Sequence, residues 1–323
     1  MISIALAVRN GANYLEEGLR SVAAQTYRDY ELIICDNAST DATPDIATSH
    51  ARRDSRIRLV RSEVVWTQAE NFTSAVAHCS YPWVKLLCHD DLMTPECLAQ
   101  ISTCIHGLRG DRVALISNGE SWLFGSRTWR MSPGSHTQSV WNGKVALKAM
   151  AWGRGPTLPA MTTATVRRDI FMQHGAFDRR FNHFDTFYWC HLLITHDLLC
   201  LPIELTVNRI HSGQVTVRMR RSLTSVTEYE AFWEEFIRDH AATVGLTRLE
   251  AALLKRRASS QLASAASAEY FRCGPRAALR FLMGSPIRWS PLLPPLLVRS
   301  FLATRAKVRS ANTVGISSRE LFP

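Results

Sequence analysis

Residues 83–91 read WVKLLCHDD, an apolar run that ends in two adjacent carboxylates, Asp90 and Asp91. The apolar run is typical of a buried strand, and open α/β sheets bind ligands at the carboxyl ends of such strands. Adjacent carboxylates repel each other unless a cation or a proton lies between them. Hard divalent cations take oxygen ligands and often join a carboxylate to a phosphate. The stretch also fits a solvated turn before a helix, because Thr94-Pro95-Glu96 has the composition of a helix start.

Strand and helix patterns alternate through the first 120 residues. The apolar runs that predict strands are residues 2–8, 31–35, 57–60, 83–88 and 113–117. Stripes at helical spacing lie between them, for example Leu15, Leu19 and Val22. Repeated βα units predict an α/β, Rossmann-like fold, in which a mostly parallel sheet is flanked by helices.

The sequence pattern changes in the second half of the chain. Residues 118–160 are rich in Trp, Gly, Ser and Pro, and we expect loops and short strands there. From Ser225 onward the patterns are those of long helices, and Thr247 and Glu250 have the spacing of a capping box. We therefore predict one domain over residues 1–220 and a basic, mainly helical extension over residues 221–323.

The positive charge is confined to the C-terminal part. Residues 1–205 carry 20 Lys and Arg against 20 Asp and Glu, whereas residues 206–323 carry 18 against 8, the whole net charge of +10. A basic appendage predicts an anionic partner, such as a membrane surface, and no nucleic-acid motif accompanies the charge. The Leu-rich segment 290–303 contains three prolines, two of them (Pro294 and Pro295) within the Leu-rich run, and is too short to span a bilayer. It is either an interfacial segment or a docked helix.

The cysteines indicate a reducing compartment. The eight cysteines form no CxxC pair and have no regular spacing, and several lie in apolar runs. This pattern favours buried free thiols over a disulfide framework. The sequence has neither a signal-peptide pattern nor an uninterrupted apolar run of 18 residues. We expect a cytoplasmic protein, either free in the cytoplasm or peripheral on the inner face of the cell membrane.

Four groups of residues follow one another in a recognisable order. They are ISIALAVRNG at 2–11, SVAAQTY at 21–27 with ELIICDNASTD at 31–41, ENF at 70–72 with HDD at 89–91, and GAFD at 175–178 with FDTF at 184–187 and RIHSGQVT at 209–216. In this order and spacing they resemble the inverting family-2 glycosyltransferases. The resemblance covers roughly residues 1–216 and implies the GT-A fold.

The resemblance implies a nucleotide-sugar site at the first two strand ends. Asp36 matches the carboxylate that accepts a hydrogen bond from the base, which suits the N–H of uracil or thymine. The turn with Ala7, Arg9 and Asn10 matches the first nucleotide loop, although Ala7 and Arg9 replace the usual hydroxyl and aromatic residues. Asn71 resembles a position near the nucleotide. The donor implied is a UDP- or dTDP-sugar.

A divalent cation, Mg²⁺ or Mn²⁺, is implied by the same resemblance. Asp90 and Asp91 match the metal-binding carboxylates, with Asp90 the principal ligand. His211 matches a loop residue that binds the metal or the donor diphosphate. Cys88 stands where many relatives have a further acidic residue, so the ligand set is thinner than usual.

Asp185 matches the family's catalytic base, which would take the proton of the acceptor hydroxyl. Phe184 stands where relatives usually have Glu, and Asp178 is the rival carboxylate. By itself Asp185 reads as a helix-opening residue. The implied activity is hexosyltransferase-like and metal-dependent, with a glycan or lipid-linked acceptor in cell-surface polysaccharide synthesis.

Two other classes compete with this interpretation. A nucleotidyltransferase that makes nucleotide sugars would begin with a Gly-rich phosphate loop, whereas residues 8–14 contain one Gly. A non-catalytic nucleotide-sugar or glycan-binding module on the same fold is favoured by the departures at Ala7, Arg9, Cys88 and Phe184.

Overall fold

The computed structural model describes residues 1–130, 138–215, 219, 224–283, 293–313 and 315–322. The chain divides into two compact units. The first unit comprises residues 1–121, 130–147 and 155–209, and the second comprises residues 122–129, 148–154 and 210–323. The predicted boundary between residues 220 and 221 lies outside the described residues and stays a prediction.

The described strands belong to one sheet. They are β1 (Ile2–Val8), β2 (Tyr30–Asn37), β3 (Ile57–Ser62), β4 (Trp83–Cys88), β5 (Leu92–Met93), β6 (Val113–Phe124), β7 (Arg127–Arg130), β8 (Ser139–Trp141), β9 (Ala164–Arg167) and β10 (Asp197–Arg209). Their order is β3-β2-β1-β4-β9-β6-β10-β5, with β7 beside β6 and β8 beside β10.

The first four strands in space have the predicted parallel pairing, β3 with β2, β2 with β1, and β1 with β4. Beyond β4 the sheet becomes mixed, because β9 is antiparallel to both β4 and β6, and β10 is antiparallel to β5 and β8. Parallel neighbours require a long crossover connection, which the helices between β1 and β4 supply, whereas antiparallel neighbours do not.

The described helices are α1 (Ala12–Ala23), α2 (Thr43–Arg53), α3 (Gln68–Ala77), α4 (Cys97–Gly107), α5 (Gly143–Ala151), α6 (Arg168–His174), α7 (Phe184–Leu192), α8 (Thr224–Val244), α9 (Arg248–Lys255), α10 (Arg257–Cys273), α11 (Pro275–Met283), α12 (Leu293–Thr313) and α13 (Ser318–Leu321). A 3₁₀ turn covers Met161–Thr163. The predicted capping box of Thr247 and Glu250 opens α9. Helix α5 was not predicted, because residues 118–160 were expected to form loops and short strands.

Helices cover both faces of the parallel strands. Side chains that alternate along β1, from Ile2 to Val8, share one apolar cluster with residues of α1, α2 and α4, and Ile34 of β2 joins them. The next residue, Cys35, points to the opposite face, where its thiol contacts the Ser74 hydroxyl of α3 at 3.9 Å. The predicted α/β sheet flanked by helices is therefore confirmed.

The second unit is mainly helical, as the sequence predicted for the C-terminal extension. The aromatic stripe of α8 is buried packing, with Trp233 fully buried and Phe232 and Phe236 nearly so. Among the described helices, none combines the length and the apolar character that a bilayer crossing requires. All eight cysteines are free thiols, as predicted, but the prediction that they are buried holds for five of them, since Cys88 and Cys104 are partly exposed and Cys273 is exposed.

Candidate active site

The predicted site residues of the first unit come together at the carboxyl ends of β2, β1 and β4. In the sheet register Ala7 of β1 lies between Cys35 of β2 and Cys88 of β4, and Val8 is paired with Asp36. The parallel pairing therefore brings the predicted nucleotide residues next to the predicted metal residues, which follow β4 directly.

Asp36 is a buried carboxylate whose two oxygens have different contacts. Its Oδ1 accepts a hydrogen bond from the Ser39 N–H at 3.2 Å. Its Oδ2 lies 3.1 Å from the Arg61 Nε, yet no donor among the described residues is in hydrogen-bond geometry with it. Arg61 was not predicted as a site residue, because only the pairing of β2 with β3 places it opposite Asp36.

Asn71 presents a second buried acceptor. Its Nδ2 donates to the Val8 and Cys35 carbonyl oxygens, both at 3.3 Å. Within the described part of the chain, its Oδ1 is buried and has no hydrogen-bond donor. A buried unsatisfied acceptor costs about 1–3 kcal/mol, which a ligand N–H or O–H would recover. Two acceptor oxygens, on Asp36 and Asn71, therefore lie at the ends of β1 and β2 and can accept hydrogen bonds from a ligand.

The loops after β1 and β2 are fastened to each other. The Asn10 N–H donates to the Ser39 hydroxyl at 2.8 Å, and the Thr40 N–H donates to Asn10 Oδ1 at 2.9 Å. Asn10 and Ala38 both have positive φ, 51° and 48°, which is uncommon for residues other than Gly and occurs at ligand-binding turns. Arg9 and Asn10 are exposed, whereas Ala7 is buried.

Three ligand atoms cluster after β4. One atom each of Cys88, Asp90 and Asp91 lies within 4.8 Å of the others. The two carboxylates fit a hard divalent cation such as Mg²⁺ or Mn²⁺, whereas the Cys88 thiol is a soft ligand that suits these ions poorly. Asp90 and Cys88 are partly exposed, whereas Asp91 is buried.

Asp91 is held by the protein on both oxygens. Its Oδ2 accepts from the Thr162 hydroxyl, and its Oδ1 accepts from the Arg209 N–H at 2.9 Å. Burial, and then the neighbouring charge of Asp90, raise the pKa of Asp91 well above its usual value. Asp90 is therefore the more accessible carboxylate, and Asp91 is placed to keep the motif in position.

Arg209, the last residue of β10, braces the same motif. Its Nε donates to the Asp90 carbonyl oxygen at 3.0 Å, and its guanidinium forms an ion pair with Glu17 at 2.5 Å. The guanidinium also lies 5.0 Å from the centre of the Tyr14 ring. The contact of Arg209 with this motif was not predicted from the sequence, because its partners are more than 100 residues away in the chain.

Lys85 is a fully buried cation beneath the motif. Its ammonium donates to Asn118 Oδ1 at 2.9 Å and to the Thr162 carbonyl oxygen. Burial lowers its pKa to about 8. The Thr162 hydroxyl in turn accepts from the Cys88 N–H at 3.1 Å and donates to Asp91. A lysine within an apolar run was the one signal in the sequence that could have indicated this network.

Asp185 lies in the first turn of α7. Burial raises its pKa to about 6, despite the hydrogen bond that its Oδ1 accepts from the Thr186 N–H at 2.7 Å. The charge of Asp185 also contributes to raising the pKa of the Cys88 thiol, so the two residues lie within electrostatic reach of each other. A carboxylate that titrates near neutral pH is suited to general-base catalysis.

The rival carboxylate, Asp178, is engaged elsewhere. It forms an ion pair with Arg180 at 2.7 Å. Burial acts to raise its pKa, but the hydrogen bonds and charge of Arg180 outweigh burial and hold the pKa below its usual value. A carboxylate with a low pKa and a bound guanidinium is a poorer base than Asp185.

His211 follows β10 and belongs to the second unit. Its backbone N–H donates to Gln214 Oε1 at 3.3 Å, a hydrogen bond within the turn that contains both residues. Its predicted contact with the metal or the diphosphate stays a prediction. Thr216, at the end of the same sequence motif, lies outside the described residues.

The chain matches the family model described as Glycosyl transferase family 2 over residues 3–174. This chain belongs to glycosyl transferase family 2. The match covers more than half of the sequence. The predicted family is therefore confirmed, and the protein is a glycosyltransferase.

Among sequence relatives, an uncharacterized glycosyltransferase of Rickettsia typhi is 25% identical over 260 residues, which are 79% of this chain and 75% of the relative. Among solved structures, TarS 1–349 of S. aureus in complex with UDP has a TM-score of 0.56 at 15% identity, covering 97% of this chain and 91% of that one.

The mannosyltransferase PcManGT of Pyrobaculum calidifontis, solved with GDP-Man and Mn²⁺, has a TM-score of 0.58 at 17% identity, covering 95% and 86%. At these identities the likeness to both structures shows the fold alone, and the predicted GT-A fold is confirmed.

Proposed function

We propose that this protein transfers a sugar from a nucleoside-diphosphate sugar to an acceptor hydroxyl, with inversion at the anomeric carbon. The observation that carries the proposal is the placement of two buried acceptor oxygens, on Asp36 and Asn71, beside the carboxylates that follow β4. One part of the site can accept hydrogen bonds from the base or the ribose of a nucleotide, and the other suits a cation that accompanies a diphosphate.

The base is proposed to be uracil or thymine. Uracil and thymine each have one ring N–H between two carbonyl oxygens. Asp36 Oδ2 can accept from that N–H, and the adjacent Arg61 guanidinium can donate to a carbonyl. Asn10, Arg9 and Ala7 are proposed to line the same site through the loop that Ser39 and Thr40 hold in place.

The cation is proposed to be Mg²⁺ or Mn²⁺, held by Asp90 with Asp91 and Cys88 beside it, and His211 remains the predicted further ligand. When bound, such a cation neutralises charge on the donor diphosphate and makes it a better leaving group. The protein's own contribution is to fix the motif, through Thr162 and Arg209 on Asp91 and Asp90.

Asp185 is proposed as the general base. Its carboxylate would take the proton of the acceptor hydroxyl while that oxygen forms a bond to the anomeric carbon. The bond from the anomeric carbon to the diphosphate oxygen breaks at the same time, and the nucleoside diphosphate leaves with the bonding pair. A single displacement of this kind inverts the anomeric configuration.

The acceptor is proposed to be a glycan or a lipid-linked glycan in cell-surface polysaccharide synthesis, and the place of action the cytoplasm or the inner face of the cell membrane. The basic C-terminal extension supports an acceptor near an anionic surface. We retain residues 1–220 as the proposed catalytic domain and residues 221–323 as the proposed extension.

The experiment is calorimetric titration of UDP, dTDP and GDP into the protein, with Mn²⁺ or Mg²⁺ and then with EDTA. We expect metal-dependent binding of UDP or dTDP that Asp36→Asn and Asp90→Ala weaken at least tenfold. Absence of binding of all three nucleotides to folded protein would contradict the proposal.

Transfer is tested separately from binding. Release of nucleoside diphosphate from the donor, lost in Asp185→Asn while nucleotide binding persists, is expected of a glycosyltransferase. Absence of release above background by the folded parent would favour the non-catalytic module, whereas equal release by the variant and the parent would mean that Asp185 is not the base. Formation of pyrophosphate from a nucleoside triphosphate would favour the nucleotidyltransferase.

A further inference from the structure

Two helices of the second unit expose large apolar side chains to solvent. Leu279 and Met283 of α11 are 60% and 53% exposed, and Val298 and Leu302 of α12 are 63% and 57% exposed. Single exposed apolar residues are common on protein surfaces, but a contiguous group of them marks an interaction site. We call the exposed side of α11 and α12 the basic apolar face.

Val298 and Leu302 border an apolar groove that also touches α11, the helix that carries Leu279 and Met283. A cavity of about 300 Å³ lies between α10, α11 and α12, and its lining is almost entirely apolar. Leu282, Leu297 and Phe301 line it, and Val298 and Leu302 extend from its wall into solvent. The groove floor is fixed, because Phe301 stacks on Phe271 with 5.0 Å between ring centres. The face therefore combines protruding apolar side chains with a preformed groove between them.

Exposed arginines stand directly beside the apolar side chains. Arg280 follows Leu279 in α11, and Arg299 follows Val298 in α12. Between residues 251 and 313 the sequence has 11 Lys and Arg and one acidic residue, Glu269. Glu269 is already paired with Arg272 at 2.6 Å. The charge of this region is thus strongly positive and almost unopposed by carboxylates of its own.

We propose that the basic apolar face docks on an anionic lipid bilayer, with α11 and α12 lying in the plane of the interface. Helices with Arg on the polar side and Leu or Val on the apolar side insert their apolar groups at the boundary between headgroups and acyl chains. Anionic headgroups supply the charge that the face lacks. The proposal does not depend on the proposed transfer reaction.

Two other occupants fit the face less well. A second copy of this chain would bring two strongly positive regions together, and like charges at an interface oppose association. A nucleic acid would match the charge, but it binds through polar side chains and stacking aromatic rings rather than through exposed Leu, Met and Val. A lipid surface is the partner that uses both the charge and the apolar groups.

The test is sedimentation of the full chain with vesicles of phosphatidylcholine alone and of phosphatidylcholine with 30% phosphatidylglycerol, a fraction of roughly the physiological order. Two double variants each remove one apolar and one basic side chain, Leu279→Ser with Arg280→Gln, and Val298→Ser with Arg299→Gln. The matched control is Arg248→Gln with Leu249→Ser on α9, where Leu249 is 57% exposed. Circular dichroism and thermal unfolding confirm that all variants fold.

We expect binding to the anionic vesicles only, weakened by raised salt. Each variant of the face should lower the partition coefficient at least tenfold. Loss of the arginine alone should account for a factor of roughly five, and loss of the apolar side chain for the rest. The control variant should lower it roughly fivefold at most, and combining the two face variants should abolish binding.

Three results would overturn the proposal. One is binding to neither kind of vesicle, or equal binding to both. Another is equal loss of binding in the control and the face variants. The third is a dimer in light scattering, or a complex with RNA or duplex DNA, that the face variants disrupt while leaving vesicle binding intact.

Discussion

Replacing the proposed base by its amide, Asp185→Asn, should stabilise the fold while it removes activity. Burial raises the pKa of Asp185 from 3.8 to about 6, so the folded protein disfavours the ionised carboxylate that catalysis requires. One pKa unit corresponds to about 1.4 kcal/mol, and a shift of this size corresponds to about 3 kcal/mol in the free energy of unfolding. An amide of the same size carries no charge and avoids that cost.

The sign of the pH dependence follows from the same shift. Below about pH 4 the carboxyl is protonated in both the folded and the unfolded chain, so Asp185→Asn and the parent should be about equally stable. Between about pH 4 and pH 6 the unfolded chain has lost the proton that the folded chain keeps, and the parent loses stability relative to the variant. Above about pH 7 the variant should be more stable by about 3 kcal/mol.

Urea unfolding from pH 4 to pH 8 measures the stability difference, and nucleoside diphosphate release measures the activity. The parent's kcat should fall as pH drops below about 6, because the base must be ionised. The variant should lose kcat by about 10²- to 10⁴-fold at all pH values. Asp178→Asn is the control, because it should change the free energy of unfolding in the opposite direction. Asp178 has a lowered pKa, so loss of its carboxylate should destabilise the protein at neutral pH.

Either of two results would contradict the prediction for Asp185. If the unfolding free energies of Asp185→Asn and the parent changed in parallel between pH 4 and pH 8, Asp185 would not be a partly buried carboxylate with a raised pKa. If Asp185→Asn kept full activity and Asp178→Asn lost it, the base would be Asp178.

Three further predictions concern the motif after β4. Thr162→Val removes the hydroxyl that donates to Asp91 and should lower the unfolding free energy by about 2–3 kcal/mol in urea, whereas Thr162→Ser should retain most of it. Gly11→Ala would put a Cβ 2.5 Å from His89 Cδ2, so it should destabilise the protein by about 1–3 kcal/mol. The same variant should weaken UDP binding in calorimetry. An unchanged melting temperature would contradict this prediction. Asp90→Ala should abolish the dependence of UDP binding on Mn²⁺, and the paramagnetic resonance signal of free Mn²⁺ should then show no binding to the protein.

The carboxylates of the candidate site have different functions because their surroundings differ. Asp36 has one oxygen that is ion-paired with Arg61 but accepts no hydrogen bond among the described residues, and Asp91 has both oxygens hydrogen-bonded by the protein. Asp185 is partly buried and accepts its hydrogen bond from a neutral backbone N–H, so desolvation dominates and its pKa rises. Residue type alone assigns all of them to acidic chemistry, and only burial and hydrogen-bond partners distinguish them.

The parallel half of the sheet, and the edge of it that carries the site, could be predicted from the order of residues along the chain. Alternating strand and helix patterns predicted β1 to β4 and the helices between them, and parallel strands must place their carboxyl ends at one edge. For that reason the positions of Asp36 and Asp90 in the sequence predicted that they share one edge of the sheet, and the strand order β2-β1-β4 brings them to either side of β1. The order of the motifs also indicated the family.

Only the tertiary structure decided how the site is held and which faces remain exposed. Thr162 meets Asp91 across 71 residues, and Arg209 meets Asp91 across 118 residues. Local patterns show that a segment has an apolar side, but they do not show which distant residue packs against it or satisfies its polar groups. The antiparallel half of the sheet, the burial of Lys85 and the exposure of Leu279 and Val298 all depend on such distant neighbours, so they became visible only in the folded chain.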